Sequence, residues 1–201
     1  AMIFYKGGTM HNPDTINYNP LNNFLSDLGR TISFSNKTNF HASLCFNMSM
    51  IISGFSFISF FYYTRQLFPN EKKSTIIISN IGASFGILSS VCMIGVGFTP
   101  ADIYLPPHIL FAHWMFRFYF ITALCFSISI YKSDSFENKY GLGYVFFTIV
   151  ILIYILISEL GPSPRENYNA LTLQVISQKV ILVCFLYAIY SQTKGISKIL
   201  K

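Results

Sequence analysis

The sequence predicts an all-α fold, a polytopic transmembrane helical bundle, and three observations carry this prediction. The 201-residue chain holds five apolar stretches, each near the ~20 residues that a helix needs to cross a ~30 Å hydrocarbon core. Hydrophobic residues make up 52% of the chain and charged residues only 11%, about half the charged share of a typical soluble domain. The connections are short, so consecutive helices must lie antiparallel. We therefore expect a single transmembrane domain over residues 1–201.

The five predicted spans follow one another along the chain. They lie at about 42–63, 75–98, 110–131, 142–160 and 171–191. Proline marks the connections after the second and fourth spans, because its ring cannot continue a helix. Small side chains such as Gly82, Ala83 and Gly86 recur on the second span and predict close contact with a neighbouring helix.

Residues 6–41 form the only long polar segment before the first predicted span. Gly7-Gly8 and Asn19-Pro20 are turn-forming pairs, and residues 22–31 are compatible with a short helix. We expect this segment to be an outer loop that packs on the end of the bundle. The apolar residues 1–5 precede it, and we interpret them as the last turn of a sixth span of the native protein, with processing of the chain as the alternative explanation.

The distribution of Lys and Arg predicts the orientation of the bundle. With the N-terminal segment outside, eight basic residues fall inside and four fall outside, as the positive-inside rule favours. The inside set is Arg65, Lys72, Lys73, Lys132, Lys139, Lys194, Lys198 and Lys201, and the outside set is Lys6, Arg30, Lys37 and Arg165. The prediction is an integral membrane protein of the cell membrane with its N-terminal segment outside and its C-terminus in the cytoplasm.

Ionisable side chains within the spans are the candidate ligand-binding residues, since such groups are costly in a membrane and usually face the bundle interior. His113 and Arg117 lie four residues apart, hence about 40° apart on one helix face. Glu159 and Lys179 lie on the fourth and fifth spans, and Asp27 and Arg30 lie in the preceding polar segment. These six residues predict an outward-facing polar pocket. Structural ion pairing, or snorkelling of the longer cations toward the interface, is the alternative interpretation.

The sequence assigns neither a cofactor nor a metal site. His108 and His113 are five residues apart, which places them about 140° apart on a helix, and His41 or Asp27 would join them only through tertiary contacts. No motif of a catalytic nucleophile is recognisable, so the catalytic residues are unknown and enzymatic activity stays open. The net charge is +6, but no segment is a dense basic run with interleaved aromatics, so we expect no nucleic-acid partner.

Two stretches resemble a known family. Residues 19–47 contain Ser26-Asp27-Leu28-Gly29, and residues 95–113 join a turn with an acidic residue to a helix that carries histidine. They resemble an uncharacterised six-span family of prokaryotic membrane proteins. That family is distantly related to autophagy-modulator and GPI-lipid-remodelling membrane proteins. The resemblance implies a six-helix bundle and a role at lipids, and it implies no catalytic residue.

Two functions follow from these observations. The first is binding of a lipid or another anionic amphiphile in the polar pocket, with membrane lipids as the partners. The second is an accessory or scaffold subunit of a larger membrane complex, which the small size and the lack of a catalytic motif favour. A transporter is disfavoured, because the ionisable residues of the spans stop at mid-depth.

Overall fold

The computed structural model describes residues 1–68 and 70–199 of the chain, and this part is all-helical, without strands. Five long helices form the bundle: α1 (Phe40–Thr64), α2 (Lys73–Phe98), α3 (Leu105–Lys132), α4 (Leu142–Leu160) and α5 (Tyr168–Ile199). All five are long and apolar enough to cross a membrane. The predicted fold class is therefore confirmed. Three short 3-10 helices lie at Met2–Phe4, Leu25–Gly29 and Asn138–Gly141.

Helix α3 begins at Leu105, about five residues before the predicted span. Pro106 and Pro107 occupy its first turn, where the missing N–H groups would have no helical acceptor and the fixed φ angle suits a helix. From the sequence alone, these prolines are expected in a non-helical connection. The structure instead places His108 in the first turn of α3, beside the end of α2.

The helices pack in chain order, and α2 lies between α1 and α3. Its small residues allow this close approach, as the sequence predicts. A Cβ atom at Gly86 would lie 2.6 Å from the Phe61 ring of α1, and one at Gly82 would lie 2.7 Å from Cβ of Cys125 on α3. Helix α4 then packs against α3 and α5. Small residues at such interfaces let two backbones approach without a clash.

Buried aromatic rings fill the centre of the bundle and join non-neighbouring helices. Phe61 of α1 stacks on Phe126 of α3 with ring centroids 6.2 Å apart. Phe185 of α5 lies 4.8 Å from the Tyr119 ring of α3 and 5.4 Å from the Phe147 ring of α4. All five rings are buried, so the core is continuous from α1 to α5.

The two ends of the bundle are built differently. Residues 1–39, named here the cap segment, cover the end at which α1 begins, named the cap end. The α2–α3 and α4–α5 connections lie at the same end, as the contacts Thr31–Asp102 and His11–Pro164 show. At the opposite end Glu71 accepts hydrogen bonds from the Ser133 hydroxyl and the Ser135 backbone N–H.

Candidate functional site

Asp27 lies at the centre of the cap segment and is only 5% exposed. Its Oδ2 accepts the backbone N–H of Phe24 at 2.8 Å and the Asn23 amide at 3.2 Å. Burial raises the pKa of Asp27 to about 6, although these hydrogen bonds and the charges of Arg30 and Lys179 act in the opposite direction. Asp27 is thus a carboxylate whose charged form is poorly solvated.

Lys179 of α5 contacts the residues around Asp27 from the side of the bundle. Its Nζ donates to the backbone carbonyl of Asn23 at 2.9 Å and lies 5.5 Å from the centre of the Tyr18 ring. The Asn23 amide also donates to the Gly8 carbonyl at 3.0 Å. Asn23 therefore links the start of the cap segment, Asp27 and the fifth helix. Asn23 is not recognisable from the sequence, because an asparagine in a polar loop carries no distinctive signal.

Arg30 is close to Asp27 in the chain, but its side chain turns to the surface of the cap. Its guanidinium carbon lies 4.0 Å from the centre of the Phe34 ring, and its Nε donates to the Ile32 carbonyl. The geometry is a cation–π contact at a partly exposed position. Arg30 therefore holds the local turn of the cap segment.

Asp102, in the α2–α3 connection, attaches Thr31 and Ile32 of the cap segment to the bundle. Its carboxylate accepts the backbone N–H groups of Thr31 and Ile32 and the Thr31 hydroxyl, at 2.5 to 3.0 Å. Partial burial disfavours the charged form of Asp102, but these hydrogen bonds prevail and lower its pKa. The charge of Asp102 thus serves to hold the cap segment against the α2–α3 connection.

The other three predicted residues form a separate cluster on the outside of the bundle. Arg117 pairs with Glu159 of α4, and Nδ1 of His113 lies 4.0 Å from Oε1 of the same carboxylate. The guanidinium carbon of Arg117 is 5.7 Å from the centre of the Trp114 ring. All three ionisable side chains are partly exposed on the surface that would face lipid.

This cluster borders an open groove of about 580 Å³ along the first half of α3. Its lining is partly apolar and includes Leu105, Ile109 and Leu110. The side chains with polar groups in the lining are those of His113, Trp114, Arg117 and Arg165. We name it the arginine groove. Arg165 belongs to the α4–α5 connection, and in the sequence it is evidence only for orientation.

The six predicted site residues thus occupy three places. Asp27 in the cap segment and Lys179 of α5 both bind Asn23, and Arg30 lies on the cap surface. His113 and Arg117 line the arginine groove, with Glu159 beside it. Glu159 pairs with Arg117, whereas Lys179 binds the cap segment. Across residues 1–68 and 70–199, no group of three or more His, Cys, Asp or Glu side chains is arranged to hold a metal ion.

The five long apolar helices define a class, the multi-pass α-helical membrane proteins. No protein-family model, no curated protein and no solved structure matches the chain. The resemblance of residues 19–47 and 95–113 to the six-span prokaryotic family therefore stays a prediction.

Proposed function

We propose that this multi-pass membrane protein binds an anionic amphiphile, with the anionic group held in the arginine groove and the apolar chain along α3. The main support is that two arginines, Arg117 and Arg165, line one largely apolar groove, whereas the carboxylate of Glu159 is not part of its lining. Glu159 pairs with Arg117 from the side of α4 and is not part of the lining.

The charge balance of the groove favours an anion. Glu159 compensates one guanidinium, while no carboxylate in the described part of the chain lies within salt-bridge distance of Arg165. A guanidinium presents donors in a planar fork that fits a phosphate or a carboxylate by two parallel hydrogen bonds. An anionic headgroup between the two arginines would therefore be recognised by charge and by shape.

The depth of the groove favours an amphiphile over a free anion. Twelve residues separate Leu105 from Arg117, a rise of about 18 Å along a helix, whereas the hydrocarbon core is ~30 Å thick. The groove would therefore extend from the interface well into one leaflet. Trp114 between its ends suits the same region, since tryptophan is enriched near membrane interfaces. With the orientation predicted from the basic residues, this is the outer leaflet of the cell membrane.

The test compares bound lipids in the wild type and in a double variant. Protein purified gently from membranes is analysed for co-purifying lipid by native mass spectrometry, and Arg117→Gln with Arg165→Gln is expected to lose at least nine-tenths of the anionic lipid. Lys37→Gln, which removes a positive charge from an exposed position of the cap segment, is the matched control and should retain it. Undiminished anionic lipid on the folded double variant would refute the proposal.

A role as an accessory or scaffold subunit is the second candidate. The observation in its favour is the exposure of α1. Only 11% of its most apolar 18-residue stretch is buried inside the bundle, the lowest share of the five helices. A neighbouring membrane protein would cover this face as well as lipid does. The same purification distinguishes the two roles, since a stoichiometric protein partner supports this candidate and one enriched anionic lipid supports the arginine groove.

A further inference from the structure

A second cavity, separate from the arginine groove, lies inside the bundle beneath the cap segment. It has a volume of about 270 Å³ and is lined by all helices from α1 to α5. Its walls are mainly apolar and include Met50, Met93 and Met115, while Leu25 and Ser26 of the cap segment close one side. The groove and this central cavity use different faces of α3, because Ala112, Met115 and Phe116 line the cavity and His113, Trp114 and Arg117 line the groove.

His108 supplies the cavity with a hydrogen-bond acceptor. The side chain lines the cavity and is only 6% exposed. Its Nδ1 lies 2.6 Å from the carbonyl oxygen of Thr99. A carbonyl only accepts, so Nδ1 carries the proton and Nε2 of the neutral ring is left as an acceptor. That nitrogen has no hydrogen-bond partner within residues 1–68 and 70–199.

Gln178 supplies the complementary donor. Its Oε1 accepts the backbone N–H of Leu25 at 2.8 Å, which settles the orientation of the amide since a backbone N–H only donates. The amide nitrogen is therefore left to donate, and it too has no partner in the part of the chain that the structure describes. The cavity wall thus offers an acceptor on His108 and a donor on Gln178, and the buried Tyr119 hydroxyl of the same lining also has no partner in the described residues.

We infer that the central cavity binds a small neutral amphiphile, an apolar chain that ends in a hydroxyl group. A hydroxyl both donates and accepts, as the free atoms of His108 and Gln178 require. The cavity is roughly twice the ~150 Å³ of one that holds benzene, which suits a ligand of about ten to twelve non-hydrogen atoms. None of the described lining residues is Lys, Arg, Asp or Glu, so an anionic headgroup would be buried there without a partner.

The test uses a photoactivatable analogue of 1-decanol with the reactive group on its chain, and the protein in lipid nanodiscs. Labelled residues are mapped by mass spectrometry while 1-decanol, decane or decyl phosphate competes. We expect labelling at the methionines of the cavity, with 1-decanol competing about tenfold more strongly than decane, as one or two buried hydrogen bonds would provide. Equal competition by decane, or stronger competition by decyl phosphate, on the wild-type protein would overturn the inference.

Two variants complete the test. Ala112→Phe fills the cavity and should abolish the labelling, whereas Ala101→Phe, in the α2–α3 connection, makes the same change outside the cavity lining and should retain it. His108→Leu should retain labelling of the chain but lose the preference for 1-decanol over decane. Persistent cavity labelling in a folded Ala112→Phe protein would also contradict the inference. The arginine-groove variants Arg117→Gln and Arg165→Gln should label like the wild type, so failure of one proposal is distinguishable from failure of the other.

Discussion

Asp27 shows what one buried side chain can do to the stability of the cap segment. The carboxylate caps its own 3-10 helix through the Phe24 N–H and accepts from Asn23, yet it is almost fully removed from water. The hydrogen bonds favour the charged form and burial disfavours it. Burial is the larger effect, and it raises the pKa of Asp27 to about 6. The cap segment is therefore held by a group that titrates close to neutral pH.

We predict that stability falls as the pH rises through the folded-state pKa of Asp27. Because this pKa is raised from 3.8 to about 6, the folded protein binds more protons than the unfolded chain between those values. The stability that the protonated Asp27 contributes is fully present below about pH 4 and is lost above about pH 6. The free energy of unfolding therefore decreases by about 3 kcal/mol over this range. Unfolding in mixed micelles at pH 4, 5, 6 and 7 measures it.

The control for this prediction is an acid of the same segment that is exposed. Asp27→Asn keeps an oxygen that can accept from Phe24 and should remove most of the decrease with pH. Asp14→Asn changes a residue at the exposed surface and should leave the decrease as it is in the wild type. If the Asp27→Asn protein loses as much stability between pH 4 and pH 7 as the wild type, another group is responsible.

At the scale of elements, the cap segment is attached to the bundle at several independent points. Asp102 holds residues 31 and 32, and the Ser43 hydroxyl and the Asn47 amide both donate to the Gly29 carbonyl. Gly29 is needed for this approach, because a Cβ atom there would lie 2.6 Å from Oδ1 of Asn47. The 3-10 helix Leu25–Gly29 is thus fixed against α1 and the α2–α3 connection together.

We predict that Asp102→Ala loosens this attachment and leaves the bundle folded. A hydrogen bond to a charged group contributes about 1.5–3 kcal/mol, so amide exchange should become tenfold to a hundredfold faster at residues 31–39. Hydrogen exchange with mass spectrometry measures this, and exchange within α2 should not change. Asp134→Ala, at the opposite end, is the control. Unchanged protection of residues 31–39 in Asp102→Ala would show that the other contacts suffice.

At the scale of the whole molecule, the contacts place residue 36 and residue 72 at opposite ends of the bundle. Both positions are exposed, and the cap segment surrounds the first while the α1–α2 connection holds the second. The charge distribution of the sequence predicts the orientation of the bundle in the membrane, with the cap end outside. This direction determines which leaflet the arginine groove meets.

We predict that an impermeant thiol reagent labels Asn36→Cys but not Lys72→Cys in intact cells. The background is a protein in which Cys45, Cys92, Cys125 and Cys184 are replaced, and permeabilised cells should label at both positions. The reverse pattern would place the cap end in the cytoplasm. The arginine groove would then have to meet an anionic amphiphile of the inner leaflet.

The sequence by itself determined the class and the number of the helices. Length and apolar content decide which segments cross a membrane, because the cost of burying polar backbone in lipid leaves few alternatives to a helix. Helical spacing alone placed His113 and Arg117 on one face, and Glu159 lay among the few acids that could pair with the arginine. Proline was less informative about where a helix begins, since Pro106 and Pro107 lie in the first turn of α3 and not in the connection before it.

Only the tertiary structure decided which side chains meet. Asn23, Arg165 and Gln178 are ordinary polar residues in the sequence, and their roles depend on contacts with residues far away in the chain. Lys179 and Arg117 lie at similar depths within their predicted spans. In the structure Lys179 lies under the cap segment, whereas Arg117 lines a groove on the outside of the bundle. The physical reason is that composition sets how a residue partitions between lipid and water, whereas its partners depend on which helix faces pack together.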